Sequence, residues 1–148
     1  MILLSRRCLL AVAAVVDIAL HARPAPVAAK ALAARHNLPP RHLETLLQAL
    51  VRANILKGVR GPRGGYELAR ERRRVTMAEI VRAALNESED GAEGPESRLM
   101  LEVIEPLAAE ASQQFLVALE AVSVDELCRK AEAGAVFGAK EVHSDFTI

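Results

Sequence analysis

Apolar residues in the first half of the chain fall at helical spacing and then switch to short runs. From about Ser5 to Ala22, Leu9, Val12, Ala13, Val16 and Leu20 recur at steps of three and four, predicting a helix with one buried stripe. Pro24 and Pro26 end it, because neither ring can donate to a continuing ladder. Val27 to His36 reads as a short alanine-rich helix with Leu32 inward, closed by Asn37, a residue that tolerates left-handed geometry. A third helix opens at Pro39-Pro40 and runs to about Ala53. Its buried stripe is Leu43, Leu46, Leu47 and Leu50, so its other face presents Arg41, His42, Glu44, Thr45 and Gln48. Ile55 to Val59 and Tyr66 to Leu68 are then two short strands around a turn.

A helix pair with a polar second helix, followed by a hairpin, predicts a winged helix-turn-helix, mainly α with a small β-hairpin wing. Gly61, Gly64 and Gly65 admit positive φ and Pro62 fixes its own, which suits a narrow turn holding Arg60 and Arg63 outward. An outward guanidinium on a thin loop fits phosphate or a minor groove, while the polar face of the third helix carries donors and acceptors suited to base edges.

Beyond the wing, Thr76-Met77-Ala78-Glu79 forms a capping box ahead of a short helix with Ile80, Ala83 and Ala84. Residues 86–97 are an acidic linker rich in Glu, Gly and Ser. Leu99, Val103, Leu107, Ala111, Phe115, Leu119 and Val122 form a long apolar stripe that Pro106 bends or restarts. Ser123-Val124-Asp125-Glu126 opens a last helix that stops near Gly134. The predicted organisation is a DNA-binding domain over 1–85, the linker, a helical dimerisation region over 98–134 and a tail over 135–148. A long apolar stripe after a complete small domain is covered economically by the same helix of a second copy, which pairs two recognition helices on one DNA face. Folding back on its own domain is the alternative.

The formal net charge of zero hides a division. Residues 1–75 carry fourteen Lys/Arg against four Asp/Glu, a surplus of ten, and the remainder carries five against fifteen. The positive half attracts a polyanion and the negative half repels it, so one face approaches nucleic acid. With 3% aromatic residues and no Trp, the chain lacks the rings of a single-strand binder, and duplex DNA is the better target. Cys8 and Cys128 form no CxxC, so neither a zinc site nor a disulfide scaffold is indicated, and a cytoplasmic location is expected. Arg6-Arg7 before an apolar run resembles a twin-arginine export signal, but Asp17 interrupts the run and its helical period fits a core helix better. No segment reaches the roughly 18 uninterrupted apolar residues of a membrane span.

These features together resemble the Rrf2 family of bacterial winged-helix transcriptional regulators, whose members include iron–sulfur cluster, nitric-oxide-sensing and cysteine-metabolism regulators. The resemblance covers roughly residues 3–133 and rests on Ala11-Val12 with Asp17-Ile18-Ala19-Leu20, on Leu43-Glu44 with Leu46, on Val59-Arg60-Gly61-Pro62 with Gly64-Gly65-Tyr66, and on Val124-Asp125-Glu126-Leu127. It implies a homodimeric repressor that places Arg41, His42, Glu44 and Thr45, with Gln48 on the same face, in a major groove. It also implies that Arg60 and the tip through Tyr66 reach a minor groove, with Arg6 and Arg7 near phosphates. Many members hold an iron–sulfur cluster on three cysteines in the segment matching residues 86–98, where this chain has none, so no cofactor is expected. Cys8, beside Arg6 and Arg7 in an early helical turn, is a candidate redox thiol, against the plainer role of a small buried residue. No nucleophile–base pair or phosphate loop points to an enzyme. The alternative function is a protein-interaction or regulatory subunit that binds a partner through the winged helix or the acidic helix.

Overall fold

The computed structural model describes residues 4–86 and 97–138; most of the acidic linker and the end of the tail lie outside them. Helix α1 (Arg6–His21) runs through the middle of the core. Ser5 caps it, its Oγ accepting from the Cys8 amide, and Cys8, Ala11, Val15 and Ile18 are fully buried along one side. Helices α2 (Ala29–Arg35) and α3 (Pro40–Arg52) come next, joined by a turn in which Asn37 takes the left-handed φ of 53°. Leu43, Leu46, Leu47 and Leu50 are buried as their spacing requires.

Among the described residues, a fully buried charge lies inside this core. Asp17 has no exposed surface, and its carboxylate accepts from Arg35 Nε and Nη2 over 2.6–3.2 Å. His36 Nε2 stands 2.8 Å away and His21 Nδ1 3.3 Å away. Burial alone pushes the carboxyl up, but the Arg35 and His36 hydrogen bonds, with the charges of Arg35 and His21, outweigh it and hold the group below its ordinary value. The cluster bolts the last turn of α1 to the end of α2, and so sets the angle at which the helix pair is presented.

Strands β1 (Leu56–Val59) and β2 (Gly65–Leu68) pair antiparallel with Leu56 opposite Leu68 and Val59 opposite Gly65. A third backbone joins them: Val27 exchanges hydrogen bonds of 2.9 and 2.8 Å with Tyr66. Of the three tip glycines only Gly61 has positive φ, at 117°. Gly64 and Gly65 are required for closeness instead, since a Cβ would lie 2.2 Å from the Val59 carbonyl oxygen at the first and 2.3 Å from that of Val27 at the second. Of the freedoms the three glycines offer, Gly61 uses its φ and the other two their missing side chains.

Helix α4 (Met77–Asn86) carries the reciprocal capping box, with Glu79 N–H donating to Thr76 Oγ1 and Thr76 N–H to Glu79 Oε2. The long stripe is interrupted by a π-helical turn, Met100–Ile104, directly before α5 (Glu105–Glu120). Pro106 has no N–H to return to the preceding turn, so the helix restarts there rather than continuing in register. Phe115, Leu116 and Leu119 pack against the core, and Arg82 holds Glu120 at 2.7 Å. Among the described residues the stripe thus folds back on its own domain only at its C-terminal end. Helix α6 (Val124–Ala133), capped by Ser123, buries Val124 and Cys128 against α1. It is tied to the segment after the wing by Val124 N–H to Val75 O, Asp125 N–H to Arg72 O and an Arg72–Asp125 ion pair of 2.8 Å.

Asp17→Asn keeps the shape and removes the charge that Arg35 faces. Unfolding stability should fall by about 2 kcal/mol, less than the ~3–5 of a fully buried pair, because the Arg35 side chain keeps 32% of its surface in water. A carboxyl held low contributes fully above its unfolded value and loses that contribution as pH falls through the folded one. The gap between wild type and variant should therefore stay level from pH 5 to 8 and shrink below about pH 4. Denaturant titrations across pH check this, and a gap that widened on acidification would contradict it.

Candidate nucleic-acid interface

The helix-turn-helix and the wing succeed one another without a break. Arg41, His42, Glu44, Thr45 and Gln48 are exposed on the outer side of α3, opposite the leucines that fix it to the core. Three residues after α3 ends, β1 carries the chain to the tip, where a Gly64 N–H to Gly61 O bond of 2.9 Å closes the turn. Arg60, Pro62 and Arg63 are exposed there, and neither guanidinium has a hydrogen bond or ion pair among the described residues. Both charges are thus available to an incoming anion.

The other expected contacts divide. Arg6 is exposed at the start of α1, whereas Arg7 is half-buried, donates from Nε to the Ala84 carbonyl at 3.3 Å, and has Nη2 buried without a partner. Arg7 therefore donates to the C-terminal end of α4, where a positive charge suits the helix dipole. Gly64, Gly65 and Tyr66 are half-buried: the glycines let the strands approach, and Tyr66 packs on the core while its backbone holds Val27. They support the wing from below. Cys8 has no exposed surface and accepts from Ser5 Oγ at 3.3 Å, so an oxidant reaches it only if α1 moves. Cys128 is also fully buried, and burial pushes its thiol up, partly offset by Arg72.

Two sets of residues that position this face escaped the local sequence pattern. Val27 reads as the start of a helix yet braces the wing, and nothing near it signals a strand partner about forty residues away. The Asp17 cluster left a trace, a lone carboxylate in an apolar stripe followed by an adjacent Arg35-His36 pair. That trace names the participants without their pairing.

A profile of the Rrf2 family, described as "Iron-dependent Transcriptional regulator", matches residues 4–130. The chain belongs to the Rrf2 family. It is 38% identical over 80 residues to the HTH-type transcriptional regulator IscR of Xenorhabdus nematophila, covering 54% of this chain and 48% of that protein. It is 29% identical over 139 residues to IscR of Photorhabdus laumondii, covering 88% and 82%. The solved structure of T. potens IscR superposes with a TM-score of 0.64 at 28% identity, over 88% of this chain and 89% of that one. Over the more similar stretch the chain spans about half the length of the curated relatives it matches. The family match over residues 4–130 contains the helix pair and the wing.

The family description implies iron, and the described residues offer no thiolate set for an iron–sulfur cluster. Residues 86–98 contain no cysteine. Cys8 and Cys128 are buried, and the shift at Cys128 favours a neutral thiol over the thiolate a cluster needs. Among the described residues no three His, Cys, Asp or Glu side chains come together as a ligand set. No helix among them is long and apolar enough to cross a membrane.

Proposed function

We propose that this chain is a homodimeric, sequence-specific DNA-binding regulator that represses by occupying a promoter, with α3 in a major groove and the wing at Arg60–Gly65 in the adjoining minor groove. The observation that carries this reading is the pairing of an exposed polar face on α3 with two unengaged arginines at the tip of the hairpin next to it. Both lie in the half of the chain with a surplus of ten positive charges. Arg6 is assigned to phosphate. Arg7 orders the end of α4, and Tyr66 with Gly64 and Gly65 shapes the wing.

Dimerisation is supported by the π-turn and α5, which bury no residue. Leu99 and Leu107 are 61% and 63% exposed, with Val103 and Ile104 between them. A continuous apolar face of this kind is rarely left to water, and a second copy covers it by symmetry. We further read this member as working without an iron–sulfur cluster, in keeping with its missing cysteines, and as a cytoplasmic DNA-binding protein with no catalytic role.

Binding to duplex operator DNA should weaken steeply with salt, and the double substitution Arg60→Ala, Arg63→Ala should lower affinity about tenfold or more and reduce the log–log salt slope by about 2. An unchanged slope would remove the wing from the interface. Val103→Glu with Leu107→Glu should convert the dimer to a monomer in light scattering with helical content retained, whereas a persisting dimer would place the interface elsewhere. Protein purified under anaerobic conditions should be colourless and hold far less than one iron per chain, and stoichiometric iron with thiolate charge-transfer bands would refute the clusterless reading.

A further inference from the structure

At the end of the wing farthest from its tip lies a cleft of about 980 Å³, within the size range of small-molecule sites. Its walls come from the last turn of α1 through Pro24, the base of the hairpin, the segment Arg70–Arg73, and α6. Leu20, Pro24 and Leu68, each partly exposed, give it an apolar floor.

The charged walls sort by engagement. Lys57 is paired with Glu67 at 3.0 Å, Arg70 with Glu79 at 3.0 Å, and Arg72 with Asp125 at 2.8 Å; these pairs hold the walls together. Arg23 and Arg73 are exposed and have no hydrogen bond or ion pair among the described residues. Two carboxylates are held only at the limit of contact, Glu71 at 3.9 Å from Arg74 and Glu132 at 4.0 Å from Arg72. One cleft thus offers two free guanidiniums, two loosely held carboxylates and an apolar floor. A guanidinium matches a carboxylate by bidentate hydrogen bonding, and a side-chain carboxylate matches an ammonium. A long polyphosphate backbone fits poorly, because it would lie against Glu67, Glu71, Asp125 and Glu132 with no positive group to offer them.

We propose that this cleft binds a small zwitterion of the amino-acid kind with an apolar side chain, its carboxylate on Arg23 and Arg73, its ammonium on Glu71 and Glu132, and its side chain on the floor. An occupant would touch α1, the wing base and α6 together, so, resting on the proposed DNA-binding function, it is placed to act as an effector. The binding itself stands apart from that function and is measured without DNA.

The test is calorimetric titration of the full chain with L-leucine, L-methionine and L-phenylalanine, alongside 4-methylpentanoate and isoamylamine, which each keep one charge of leucine, and inorganic phosphate. At least one amino acid should bind saturably with a dissociation constant of about 1 mM or tighter, and the single-charge analogues at least tenfold more weakly. Arg23→Ala with Arg73→Ala should weaken that binding by tenfold or more, and Glu71→Gln with Glu132→Gln should erase the advantage of leucine over 4-methylpentanoate. These exposed side chains anchor no wall, so the melting temperature of the Arg23/Arg73 variant should match wild type. Absence of saturable binding by all three amino acids overturns the proposal. So does phosphate or 4-methylpentanoate binding as tightly as leucine, or binding indifferent to both variants.

Discussion

The Asp17 carboxylate is the constraint around which the rest of the DNA-facing half is arranged. An uncompensated charge at zero exposure is costly, so the fold has to bring donors to it, and those donors come from the end of the neighbouring helix. Dispersion between leucines allows two helices to slide or rotate with modest loss. A planar guanidinium on a planar carboxylate does not. The pair therefore contributes direction where the hydrophobic core contributes cohesion, and α3 is aimed by way of α2. Just ahead of α2, Val27 bridges to Tyr66 of the wing, so recognition helix and wing lean on one neighbouring segment.

The C-terminal helices attach to this support at points that serve the wing as well. Helix α6 closes on α1 through Val124 and Cys128 and on the segment behind β2 through Arg72. A T-shaped contact between Phe137 and His21, with ring centroids 4.7 Å apart, adds a further link at the Asp17 cluster. A shift of α6 would be felt at the segment behind β2 and at α1 together, because α6 is hydrogen-bonded to the first and packed against the second. That connectivity, more than any single contact, suits the region between them to the entry of a signal.

Legibility in the sequence tracked the range of the interactions. The leucine stripe of α3, the Thr76–Glu79 capping box, the cap at Ser123 and the left-handed Asn37 were readable because each is written within a few residues and obeys a local geometric rule. The polar face of α3 and the arginines of the wing tip could be named for the same reason. The Asp17–Arg35 pair and the Val27–Tyr66 bridge could not be paired, since their partners are 18 and about 40 residues apart and no local rule joins them. The glycines show the limit in miniature. Composition announced a tight turn, but whether a glycine is there for its φ or for lack of a Cβ depends on which backbone lies opposite, as Gly64 and Gly65 demonstrate. The Arg7 contact was hidden for a related reason, because its neighbour is the end of a helix 77 residues later.

The π-helical turn before Pro106 changes the geometry of the helix beyond it. Residues spaced by four, as Leu99, Val103, Leu107, Ala111, Phe115 and Leu119 are, drift about 40° around an α-helix at every step. Over five steps the stripe would wander past half a circumference and no flat partner could stay in contact with it. Widening one turn by a residue near the start takes up part of that drift there, while the drift that remains turns the last members, Phe115 and Leu119, toward the helix's own domain. A single polypeptide rod thereby acquires two faces with different addresses, one at each end, and the missing amide hydrogen of one proline sets where the first gives way to the second.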